Sequence, residues 1–97
     1  MEAHSRPVDV ISVCTTEGEI RPLRLRVNEE HRLLRMDIED ILKIDEVSRI
    51  GIEGYIFHCR ARSEEGQKML ELKYSIRSHS WSLCLDMFSG KTLEVDV

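Results

Sequence analysis

The chain has 97 residues and a mass of 11.3 kDa, 41% of it hydrophobic, and its 14 basic and 18 acidic residues leave a net charge of −4. That is one domain's worth of chain with enough apolar residues for a core, which excludes a disordered polymer, and the acidic balance excludes a strongly basic nucleic-acid binder. No apolar run exceeds three residues, as at Tyr55-Ile56-Phe57, against the ~20 that a membrane-spanning helix needs, so no membrane association is expected.

Residues 1–9 carry no apolar stretch of the secretory kind, and residues 1–6 are polar and expected to be loose. Three cysteines, Cys14, Cys59 and Cys84, form no C-x-x-C pair. An odd, dispersed set fits reduced thiols in a cytosolic protein better than a disulfide framework.

From Pro7 onward, turn signals recur every eight to fourteen residues: Glu17-Gly18, then 28–31, 51–54, 64–67, 78–80 and Ser89-Gly90. Between them, β-branched and aromatic residues alternate with polar ones, the pattern of half-buried strands. The first strand, residues 8–15, is apolar on both sides. A two-residue turn at Glu17-Gly18 would bury Val8 and Val10, and a three-residue turn would bury Ile11 and Val13. Across the 28–31 turn, Leu25 is set opposite Leu34 and Leu23 opposite Met36, which also sets Arg24 opposite Arg35.

Residues 37–50 are irregular, with Ile38, Ile41, Leu42 and Ile44 spaced unlike one clean strand. A bulged, strongly curved strand is expected, and a short helix capped by Asp37 is the alternative. Residues 55–62 and 69–76 form a hairpin when Ala61 is set opposite Leu70 and Phe57 opposite Tyr74. The next hairpin sets Ile76 opposite Trp81 and Tyr74 opposite Leu83. A loop at Ser89-Gly90-Lys91 would then return Leu93, Val95 and Val97 to the same apolar face. Six or seven antiparallel strands in a single domain point to an all-β fold, a small SH3-like barrel whose closure removes open edges.

Pro7-Val8-Asp9-Val10-Ile11, followed by Gly18-x-Ile20-x-Pro22-Leu23-x-Leu25-Arg26, resembles small uncharacterised bacterial proteins of low-GC Gram-positive species. Leu72-Lys73-Tyr74 and Trp81-Ser82-Leu83 match the closing strands of such chains. The resemblance implies a small β-barrel and a cytosolic location, and it brings no catalytic residues.

Arg24, Arg26 and Arg35 are the candidate site. All three project from the face away from Leu23, Leu25 and Leu34, and like charges directly opposite call for a compensating anion. The plainer alternative is internal pairing with Asp37 and the acidic stretch that follows it. His58, Cys59, His79 and Cys84 are metal-ligand types, but no pair of them has zinc spacing, so no metal is expected. Ser78-His79-Ser80 reads as a turn rather than a catalytic group, and neither a G-x-S-x-G elbow nor a phosphate-binding glycine loop occurs. Tyr55, Phe57, Tyr74 and Trp81 fall on the apolar face, which removes the exposed aromatics of a single-strand nucleic-acid barrel.

The expected function is a non-catalytic protein-interaction or adaptor module, with no cofactor. Nucleic-acid or anion binding through the same arginines is the second reading, and an enzyme the third. Edge strands could also join two copies into a homodimer.

Overall fold

A computed structural model describes residues 5–29 and 32–84, without the side chains of Glu29 and Ile52. Six strands follow one another: β1 (Ser5–Cys14), β2 (Ile20–Glu29), β3 (Arg32–Arg49), β4 (Ile52–Ser63), β5 (Gly66–Ser75) and β6 (Ser80–Cys84). Each pairs antiparallel with the next, and β6 returns to pair with β1 through Ser5 opposite Cys84 and Val8 opposite Trp81. The result is a closed, six-stranded, all-β barrel. The strand expected from residues 93 to 97, with its Ser89-Gly90-Lys91 loop, lies outside the described residues. Ser5 and Arg6, expected to be loose, belong to β1, where Leu83 and Cys84 of β6 hold them.

Alternation makes the core. Leu25 and Val27 of β2, Leu34 and Met36 of β3, Phe57, Cys59 and Ala61 of β4, Leu70 and Leu72 of β5, and Trp81 and Leu83 of β6 all point inward and are buried. Burying a side chain the size of Leu or Phe contributes about 1.5–3 kcal/mol, so these inward rows supply the main drive to fold. Four aromatic rings sit together there: Trp81 lies 5.6 Å from Phe57 and 4.9 Å from Tyr74 between centroids, and Tyr55 lies 6.1 Å from Phe57.

Residues 37–50 contain no helix. β3 runs through them with two bulges, at Ile38/Asp40 and Ile41/Lys43. Each bulge adds one residue, Glu39 or Leu42, that has no counterpart on β4. The core-packed positions Ile38 and Ile41 therefore fall three apart, opposite Ala61 and Cys59, and Ile44, opposite Phe57 but 52% exposed, continues the same spacing. That spacing reads as helical in sequence, yet it belongs to a strand bent hard enough to wrap the barrel. β1 meets β2 at a third bulge, where Leu23 is the extra residue and Pro22, with no N–H to leave unbonded, takes a buried position. Val8 and Val10 turn inward and Ile11 and Val13 are exposed, which resolves the ambiguity in β1.

Three hairpins differ in register from the sequence expectation, each by two residues. Leu25 faces Met36 rather than Leu34, Cys59 faces Leu70 rather than Ala61 doing so, and Trp81 faces Tyr74 rather than Ile76. A slip of two keeps every side chain on its own face, so alternation cannot separate the two registers; the turns decide. In β4–β5 the decisive turn is the two-residue link Glu64-Glu65, closed by Ser63, whose Oγ accepts from the Glu65 N–H at 3.0 Å.

Gly54 marks the tightest backbone approach. A Cβ there would stand 1.9 Å from the Tyr74 carbonyl oxygen of β5. Substitution Gly54→Ala must push β4 and β5 apart, with an expected loss of about 1–3 kcal/mol in a denaturant titration.

Candidate anion-binding groove

Two cross-strand rows build the outer face of β1, β2 and β3. Asp9, Arg26 and Arg35 form one row, and Ile11, Arg24 and Asp37 form the next. The sequence expectation that Arg24 opposes Arg35 is corrected by the two-residue register shift: Arg26 opposes Arg35, and Arg24 opposes Asp37. Either register opposes two arginines; the observed one also sets Arg24 directly across from a carboxylate.

Arg24 Nε donates to Asp37 Oδ1 at 2.6 Å, and Arg26 Nε donates to Asp9 Oδ2 at 3.1 Å. Arg35 has no ion-pair or hydrogen-bond partner among the described residues. Three guanidinium groups against two carboxylates leave the face with one net positive charge. Internal pairing thus accounts for Arg24 and Arg26 through Nε. A groove of about 430 Å³ runs along this face, lined by Asp9, Ile11, Arg24, Arg26 and Arg35, with Val10 and Leu25 at its floor. The structure brings all three sequence-selected arginines to it. Asp9 and Ile11 were not selected from sequence, because the register of β1 against β2 was open; fixing it would have named both.

The acidic stretch of β3 is answered mainly by β4. Arg62 Nε donates to Glu39 Oε2 at 2.7 Å, Gln67 donates to Glu39 Oε1 at 2.9 Å, and Arg60 pairs with Asp40. His58 stands between Asp45, at 2.9 Å from Nε2, and Glu71, at 3.4 Å from Nδ1. Hydrogen bonds from Arg62 and Gln67 hold the Glu39 carboxyl below its ordinary range, the bond with His58 does the same for Asp45, and Arg32 does so for Glu65.

The metal-ligand types stay apart. His79 sits in the β5–β6 turn against the Tyr74 hydroxyl at 3.2 Å. Cys59 faces the core, where burial pushes its thiol up to about 12. Glu71, rather than Lys73, lies between His58 and Cys84. Among the described residues, no three His, Cys, Asp or Glu side chains are grouped to hold a metal ion. No helix among them is long and apolar enough to cross a membrane.

No family model, curated protein or solved structure matches the chain.

Two measurements follow from this geometry. A carboxylate whose folded value is depressed stabilises the fold above its ordinary range, and that contribution is lost as pH falls through the depressed value. Glu39→Gln removes one such group, so the stability gap between wild type and variant should narrow as pH drops below the ordinary 4.5 of a glutamate, read from urea midpoints across an acid series. Of the thiols, exposed Cys14 should react at once with a thiol reagent under native conditions, and buried Cys59 only after unfolding; mass spectrometry of the labelled peptides reads the order.

Proposed function

We propose that the chain is a non-catalytic interaction module that captures an acidic side chain of a partner protein in the β1–β2–β3 groove. The observation that carries this reading is Arg35, exposed, unpaired among the described residues and directly across from Arg26. A carboxylate placed there would receive parallel N–H bonds from one guanidinium and relieve the repulsion between the two. Ile11, 60% exposed, lines the same groove. An acidic residue flanked by apolar ones therefore suits the groove better than a bare anion. The free cysteines fit a reducing compartment such as the cytosol.

Nucleic-acid binding through the same arginines is the second reading. The packing of Tyr55, Phe57, Tyr74 and Trp81 against one another takes those four rings away from base stacking. The −4 net charge of the chain also opposes a polyanion.

Titration with short Asp- and Leu-containing peptides, followed by amide NMR shifts, tests the reading. Shifts should centre on Ile11, Arg26 and Arg35. Arg35→Ala should weaken binding by about tenfold, ~1.4 kcal/mol. Shifts elsewhere, or an Arg35→Ala variant that binds as wild type does, overturn the reading; tight, steeply salt-dependent binding of single-stranded nucleic acid in their place moves the arginines to the second.

A further inference from the structure

Among the described residues, β3 is paired on one side only over much of its length. Among the described residues, its pairing with β2 ends at Asp37 opposite Arg24, while its pairing with β4 continues to Arg49 opposite Ile52. Residues 38–49 therefore present an unpaired row of backbone N–H and C=O groups. Proteins usually protect such an edge, here blunted by bulges only up to Lys43. From Lys43 to Arg49 the register with β4 is one-to-one, so this part is a regular strand. Two large apolar side chains flank it: Ile44 is 52% exposed and Ile50, in the turn, is 100% exposed.

We propose that residues 44–50 pair antiparallel with the same residues of a second copy of the chain, about a two-fold axis at Val47. The segment Ile44-Asp45-Glu46-Val47-Ser48-Arg49-Ile50 complements its own reverse. Ile44 meets Ile50 of the partner subunit, Asp45 meets Arg49 of the partner subunit, Glu46 meets Ser48 of the partner subunit, and Val47 meets its own counterpart. Symmetry repeats each pair. Arg49 has no ion-pair partner among the described residues, so the pairing with Asp45 answers an open charge.

Backbone bonding alternates along a strand, so only registers that oppose residues of the same parity let the free N–H and C=O groups meet. The neighbouring registers of that kind fail on charge or burial. An axis at Glu46 opposes two carboxylates and sets Lys43 against Arg49; an axis at Ser48 sets Ile50 against Glu46. The axis at Val47 avoids both conflicts.

A groove of about 320 Å³ gives the contact depth. It lies between Ile44 and the β1–β2 turn, with Gly18, Ile20 and Arg21 on one side and Tyr55 and Phe57 at its floor. Ile50 of the partner subunit, beside Ile44 and on the same face, points toward this groove. That gives the fully exposed Ile50 an apolar seat. This surface is separate from the arginine groove, so the two readings stand or fall independently.

Sedimentation equilibrium of the full chain tests the proposal. The wild type should reach twice the 11.3 kDa chain mass. Ile50→Asp, at a fully exposed position that the folded chain does not need, should weaken dimerisation by at least about tenfold. Arg49→Asp should weaken it similarly by facing Asp45 with a like charge, and the charge-swapped double variant Asp45→Arg/Arg49→Asp should restore it. In a Cys14→Ser background, Val47→Cys should cross-link rapidly between copies under a mild oxidant, and Ser48→Cys should not, because residues at the axis lie about 5 Å apart and diagonal ones about 7–8 Å. A wild type that stays monomeric to roughly 1 mM overturns the proposal. A dimer indifferent to Ile50→Asp and Arg49→Asp, or one that cross-links through Ser48→Cys instead, overturns it equally.

Discussion

The two extra residues in β3 are the constraint on which the barrel depends. Strands twist of themselves, but wrapping them around a small core also takes local bends, and an open sheet would leave two exposed edges. Glu39 and Leu42 are each inserted without a counterpart on β4, and each insertion tightens the local twist. Because of them Ile38 and Ile41 both stay against the core while the strand turns around it. The same bends carry β3 away from β2 after Asp37, leaving its far half paired only with β4. Closure of the barrel and exposure of the β3 edge therefore have one physical origin.

Charge is arranged in step with this geometry. No charged side chain is buried among the described residues, and β3 and β4 set carboxylates against guanidinium groups on their outer face. These pairs are exposed, so each contributes little to stability. Charge also bears on the β2–β3 register: a slip of two residues would still oppose two arginines but would separate Arg24 from Asp37. Alternation selects the face and charge helps select the partner on it. Arg35 on one side of the molecule and Arg49 on another are among the cations without an ion-pair partner among the described residues, and both stand on surfaces free to meet other groups.

The elements were largely legible in the residues and the pairings were not. Inward-facing Phe57, Cys59, Leu70, Leu72 and Leu83 follow from alternation alone, because burial acts on one face of a strand. Hairpin register does not follow, because slips of two preserve that face; it rests on turn geometry such as the Ser63 hydroxyl closing Glu64-Glu65. The three-residue spacing of Ile38, Ile41 and Ile44 sits between strand and helix periodicity, and only the β4 partners opposite each residue settle it. The arginine cluster was legible as a cluster, since all three residues share a face in either register. Its chemistry was not, since the residue that goes unpaired depends on which side chain stands across from it.

Barrel closure by β1 and β6 has a kinetic meaning. Ser5 and Cys84 are 79 positions apart, with the Cys84 thiol 3.8 Å from the Ser5 hydroxyl, whereas every other strand pair joins neighbours in sequence. The local hairpins can form early, each closing a short loop at small entropic cost, but the seam must wait until nearly the whole chain is collected. Of the six pairings, that of β1 with β6 therefore carries the largest loop-closure cost. Pulling apart Ser5 of β1 and Cys84 of β6 would load that seam directly and open the barrel from it.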